Sequence, residues 1–194
     1  MGCSTSKNTE ITDEDLEFLK KNTQYNEKTI KEMYNGFKHD CPDGKLNKEK
    51  FVELYKLFFT SGNPENFCKH VFRTFDTDHN GSIDFKEFLL AVGITSGGSS
   101  DDKLKWAFRM YDIDGDGLIE KREMTKIVQA MYDMLGPCVE DLELDTPQER
   151  TEMTFKKMDT NLDNHLSLQE FLSGCAEDPK LAKLLSISSE DQRN

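Results

Sequence analysis

A twelve-residue window recurs three times in this chain, and that recurrence constrains the fold more than any other feature. The windows are DTDHNGSIDFKE (76–87), DIDGDGLIEKRE (112–123) and DTNLDNHLSLQE (159–170). Each opens with Asp and closes with Glu eleven residues later. The first two satisfy D-x-[DN]-x-[DN]-G-x5-E at every fixed position, and the third departs only at its sixth. The flanks repeat in register. Phe72 and Phe75, Phe108 and Tyr111, Phe155 and Met158 stand four and one residues before the windows, and Phe88, Met124 and Phe171 follow directly. Further out, Phe67 with Val71, Leu104, and Ile127, Val128 and Met131 keep the three-and-four spacing of a helix face. Each unit therefore reads as helix, loop, helix.

A fourth, damaged copy lies upstream. Phe37 and Phe51 match the flanking aromatics, and Gly44 and Leu46 match Gly81 and Ile83, but thirteen residues separate Phe37 from Phe51 where the intact copies have twelve. Counted back from Phe51, position 1 is His39, position 3 Cys41, position 4 Pro42 and position 12 Lys50. An ammonium stands where the closing carboxylate belongs, so this loop is expected to hold no cation.

The intact windows are built for calcium, a hard cation that takes six to eight oxygens at about 2.3–2.6 Å. In the first, Asp76, Asp78 and Asn80 supply positions 1, 3 and 5, and Gly81 permits the sharp turn. Ser82 offers its carbonyl at position 7, Asp84 acts at position 9 directly or through water, and Glu87 closes the shell with two oxygens. The same roles fall to Asp112, Asp114, Asp116, Leu118, Glu120 and Glu123, then to Asp159, Asn161, Asp163, His165, Ser167 and Glu170. Asn164 replaces glycine in the last loop. Asn tolerates the left-handed region at modest cost, and with fewer carboxylates weaker binding is expected there. All the ligands are oxygens, so Mg²⁺ is a further candidate occupant at rest.

Charge agrees. The chain has 37 acidic and 25 basic residues in 194, net −12, and the three windows carry −9 of that. Nucleic acid is excluded as a partner by the lack of a basic stripe. There is no apolar run of spanning length and no secretory leader, and the five cysteines are scattered and odd in number. A reducing, cytoplasmic setting is the reading. The four histidines show no nucleophile–base pairing, so no enzyme is expected.

The architecture expected is all-α: four EF-hand units in two paired lobes, with short loop-to-loop β pairings and a C-terminal helix. The boundaries read as 1–22 for an N-terminal segment and helix, 23–92 for units 1 and 2, 93–103 for a flexible glycine-serine linker, 104–176 for units 3 and 4, and 177–194 for a short helix and tail. Thr12 and Asp15 suit a helix start, and Thr146, Pro147 and Glu149 suit another. The first lobe is rich in large apolar side chains. Met33, Tyr34, Phe37, Phe51, Tyr55, Phe58, Phe59, Phe72, Phe88 and Leu89 exceed what a closed core needs and suit a groove for a lipid chain or an amphipathic helix.

MGCSTSK fits M-G-x-x-x-[ST], which places a myristoyl chain on Gly2 once Met1 is removed, with Cys3 beside it a candidate for palmitoylation. One such chain binds membranes only marginally, near 10⁴ M⁻¹, so a second signal is needed for stable attachment.

The acylable start, the first loop spoiled by Cys-Pro in HDCPDGKL, three intact loops and LKWAFRMYDIDGDG together resemble the neuronal calcium sensor family, over Met1 to about Leu185. Met33 stands where a family tryptophan is expected, which alters groove shape. The resemblance implies a calcium–myristoyl switch on the cytoplasmic face of membranes. Without calcium the Gly2 chain would lie in the aromatic pocket. Filling loops 76–87 and 112–123 would rotate their helices and move the lobes about the glycines near 93–98. The acyl chain would then reach the membrane, and the groove would accept an amphipathic helix of a kinase, cyclase, channel or receptor. A calcium buffer and a constitutively anchored regulatory subunit are the alternatives.

Overall fold

The computed structural model describes residues 11–58, 62–136 and 146–177. Among these, α1 (Asp13–Asn22) precedes four helix–loop–helix units: α2 (Glu27–Asp40) with α3 (Lys48–Phe58), α4 (Glu65–Phe75) with α5 (Phe85–Gly97), α6 (Ser100–Tyr111) with α7 (Lys121–Leu135), and α8 (Pro147–Met158) with α9 (Leu168–Glu177). The fold is all-α of the EF-hand type. Each loop carries a short strand: β1 (Leu46–Asn47), β2 (Ser82–Ile83), β3 (Leu118–Glu120) and β4 (His165–Ser167). The antiparallel pairing β1–β2 sets Leu46 opposite Ile83, and β3–β4 sets Ile119 opposite Leu166. All four of these side chains are buried, so each strand pair staples two loops back to back.

Local chemistry sets the helix starts. The Thr12 hydroxyl accepts from the Asp15 amide at 3.1 Å, and Thr146 with Glu149 closes a capping box ahead of Pro147. The segment from 137 to 145 and the expected helix beyond 177 lie outside the described residues.

Two lysines bond the damaged first loop. The Lys50 ammonium donates to the Asp40 carbonyl, and the Lys38 ammonium donates to the Pro42 carbonyl at 2.8 Å. The chain's own cations thus bond two exposed carbonyls of this loop, while β1 still supports β2.

The expected flexible linker is not one in this structure. Helix α5 continues through Gly97, and the break is confined to Gly98 and Ser99, where the Gly98 amide donates to the Ile94 carbonyl and Ser99 opens α6 with a capping box. The glycines serve close packing instead. A Cβ on Gly93 would lie 3.3 Å from Thr23 Cγ2, and one on Gly97 would lie 2.2 Å from the Gln24 amide, so the α1–α2 connection rests on bare backbone. A second close approach joins the lobes. A Cβ on Gly62 would sit 2.3 Å from the Met134 carbonyl, and the Asn63 amide donates to the Asp133 carbonyl at 2.7 Å.

Helix α4 lies against both α6 and α7, and Phe75 meets Trp106 edge-on at 6.0 Å. One core therefore runs through both lobes. On this seam His70 borders a cavity of about 420 Å³ with Lys69, Lys126 and Gln129. Burial pushes the His70 imidazole down to about 4, and Arg73, Lys126, Lys48 and Lys69 add repulsion. Because the unfolded chain takes up this proton near 6.5 and the folded chain only near 4, His70 supports the fold fully above 6.5 and loses that support as pH falls between the two. His70→Gln is expected to flatten the fall in melting temperature between pH 6.5 and 4, checked by thermal unfolding of both chains across that range.

Candidate metal-binding loops

Each closing glutamate ties its loop together at two points. Glu87 Oε1 accepts from the Thr77 amide at 2.8 Å, and Oε2 accepts from the Asp84 amide at 3.1 Å. Glu123 does the same with the Ile113 and Glu120 amides, both at 2.9 Å, and Glu170 with Thr160 at 3.2 Å and Ser167 at 3.0 Å. One carboxylate thus joins loop position 2 to position 9, where the exiting helix begins. Glu87 Oε1 accepts from the Thr77 hydroxyl as well, and the Glu170 oxygens from the Thr160 and Ser167 hydroxyls, so a cation there takes the place of donors already bound.

The opening aspartates are aimed by the backbone. The Asp76 oxygens accept from the Asn80 and Gly81 amides, both at 3.0 Å, and Asp112 accepts from Gly115 at 2.8 Å and Gly117 at 3.0 Å. Asp159 accepts from Asn164 at 3.0 Å. Ligand oxygens of Asp76, Asp78 and Glu87 all lie within 4.8 Å of one another, as do those of Asp112, Asp114 and Asp116. Two oxygens on one calcium stand at most about 5.2 Å apart, so both trios fit that ion. Glu123 stays outside the second trio.

The remaining expected ligands serve the loops' own turns. Asn80 donates to Asp78 at 2.7 Å and accepts from the Ser82 amide, while Asp84 accepts from the Glu87 amide at 2.9 Å. Ser82, Leu118 and His165, expected to offer carbonyls, open the strands of the two pairs. Arg122 pairs with Glu120 and lies 3.6 Å from Asp114, so loop 3 carries a resident surface cation on two of its acids.

The loop at 159–170 is looser. Asp159 is half-buried where Asp76 and Asp112 are buried, and among the described residues it gathers no trio of ionisable ligands. Burial works against ionisation of Glu170, but bonds from Ser167 and Thr160 outweigh it and bring the carboxyl down to about 2. This loop also holds two side chains in the left-handed region, Leu162 (φ 61°) and Asn164 (φ 63°). Loop 3 has glycine at both places and loop 2 has His79 and Gly81. The sequence reading identified the sixth position and missed the fourth, for which only the doubled glycine of DGDG is a cue. Leu162 is 81% exposed and gains no burial in return. Leu162→Gly is expected to tighten metal binding at this loop by about tenfold, because each left-handed L-residue costs roughly 1–2 kcal/mol. Titration calorimetry of the variant beside the parent checks it.

An EF-hand domain pair model matches residues 101–176, and an EF hand domain model matches 67–93. The chain is 43% identical to neuronal calcium sensor 1 of Lymnaea stagnalis over 99% of its length and all of the relative's. It is 44% identical to the Aplysia californica protein of the same name, again over 99% and 100%, and 35% identical to human recoverin over 95% and 94%. The chain belongs to the neuronal calcium sensor family.

This sensor chain keeps its aromatic residues closed. Phe37, Phe51, Phe72 and Leu89 are buried, while Met33, Tyr34, Tyr55 and Phe88 pack half-buried against the core. Tyr34, Phe37, Phe85 and Phe88 form one ring cluster, and Phe51, Tyr55, Phe67, Phe72, Phe75 and Trp106 form another. Phe67, Phe75, Phe85 and Trp106 were absent from the expected groove set. Gly2, Cys3 and Phe59 lie outside the described residues, as does the side chain of Phe58. Cys41, Cys68 and Cys175 are buried, and burial raises the Cys68 thiol to about 11, which keeps it protonated. Among the described residues no helix is long and apolar enough to cross a membrane.

Proposed function

We propose that the chain is a calcium sensor with three working loops and an acyl switch. Asp76, Asp78, Asn80, Ser82 and Glu87 hold one ion, Asp112, Asp114, Asp116, Leu118 and Glu123 a second, and Asp159, Asn161, Asp163, His165 and Glu170 a weaker third. The observation that carries this is the double attachment of each closing glutamate. A carboxylate that already joins loop entry to helix start turns its own movement into movement of α5, α7 or α9.

The amino end is coupled to that movement. Lys86, the residue before Glu87, pairs with Asp15 on α1 at 3.0 Å and covers the Phe18 ring at 5.1 Å. A shift of α5 therefore pulls on the helix that follows Gly2. A myristoyl chain on Gly2 competes between the ring clusters of the first lobe and a bilayer at about 0.8 kcal/mol per CH₂ in either place, so a small bias decides its position. The rings that the acyl chain and the helices release would receive an amphipathic target helix.

The test is pelleting of the acylated chain with liposomes, with calcium and with chelator, beside Gly2→Ala. Calcium-dependent pelleting lost in Gly2→Ala is expected. Pelleting indifferent to calcium would instead identify a constitutively anchored subunit. Calcium binding with neither pelleting nor a change in emission from Trp106, the single tryptophan, would identify a buffer.

A further inference from the structure

Arg73 reaches from the last turn of α4, three residues before Asp76, into the unit that follows. Its guanidinium donates through Nη2 to the Met110 carbonyl at 2.8 Å and the Arg109 carbonyl at 3.2 Å, and through Nη1 to the Ile113 carbonyl. Two of these carbonyls belong to the last turn of α6, which ends with its carbonyls unspent. The third is position 2 of loop 3, whose amide is the one Glu123 holds. The side chain is only partly exposed, at the wall of a cavity of about 340 Å³ between the loops, with Thr77 and His79 on one side and Asp112, Asp114 and Gly115 on the other.

We propose that Arg73 is a positioning residue that couples loop 2 to loop 3 across the two lobes, so that filling either loop raises the affinity of the other. This rests on the reading of both loops as calcium sites. In the structure described, the guanidinium occupies the entry of loop 3 as a fixed positive charge beside Asp112 and Asp114. A dication there meets that charge. Helix α4 runs straight into loop 2, and the Asp76 amide bonds the Phe72 carbonyl beside Arg73. Rearrangement of loop 2 around an ion moves α4 and draws the fork off loop 3, removing that penalty. Linkage requires the reverse effect to be equal.

The fork geometry matters as much as the charge. Three carbonyls are held by two nitrogens in one plane, which a lysine ammonium on a flexible stem does not reproduce.

The experiment is a double-mutant cycle read by calcium titration calorimetry of the full chain. With Arg73 present, Glu87→Gln is expected to weaken loop 3 by about fivefold or more, and Glu123→Gln to weaken loop 2 by the same factor. In the Arg73→Gln background both effects are expected to shrink below about twofold, and loop 3 with loop 2 silenced is expected to bind more tightly than in the chain that keeps Arg73. Arg73→Lys is expected to behave as Arg73→Gln, and it carries the comparison if the glutamine variant does not fold. Equal coupling with and without Arg73, coupling restored in full by lysine, or no coupling in the parent chain would overturn the proposal. Loss of heat from both loops already in the parent chain would instead overturn the reading of the loops as calcium sites.

Discussion

Glu123→Gln is expected to remove one calcium from the stoichiometry of the chain and to weaken loop 3 by on the order of a hundredfold or more. Glu123 is 2% exposed, and its two oxygens hold the Ile113 and Glu120 amides. The glutamine amide replaces one acceptor with a donor facing a backbone donor, and it removes a full charge from a site meant for a dication. One of the two amide contacts is therefore lost, which costs about 1 kcal/mol. Glu170→Gln is expected to have the smaller effect, because its loop starts from a half-exposed Asp159 and two left-handed side chains. Calorimetric titration decides it. An unchanged stoichiometry in the Glu123 variant would mean that the ion is held by other oxygens.

Ile119→Ala is expected to destabilise the second lobe by about 2–5 kcal/mol and to weaken loops 3 and 4 together. Ile119 is fully buried and stands directly opposite the fully buried Leu166 in the β3–β4 pair. The cavity left by its side chain opens where two loops share one wall, and close packing there leaves little room for collapse. Leu57→Ala, at a side chain 73% exposed, is expected to change stability by less than about 0.5 kcal/mol. Thermal unfolding with and without calcium, together with titration of both loops, checks the pair. Loss confined to loop 3 would show that the strand pair does not transmit between the loops.

Legibility in the sequence followed the range of each interaction. The loops, their flanking aromatics and the helix starts at Thr12 and Thr146 are local, so a few adjacent residues carry the whole signal. The stretch GITSGGSS misled for the same reason. Glycine and serine lower local helix preference, but Gly93 and Gly97 lie closely under Thr23 and Gln24, which pack from some seventy residues earlier. Within the loops, left-handed backbone at the fourth position left almost no trace, because His79, Gly115 and Leu162 share no chemistry.

The sequence by itself determined where the four helix–loop–helix units lie and that they pair through their loops, since the acidic windows and their flanking aromatics are written into short stretches. Only the tertiary structure decided that Lys50 and Lys38 bond carbonyls of the first loop, that the lobes share one core across the Phe75–Trp106 contact, and that Arg73 spans from α4 to loop 3. The last two depend on side chains meeting across distant parts of the chain, and the closing of such long-range contacts cannot be seen in any window short enough to show a motif.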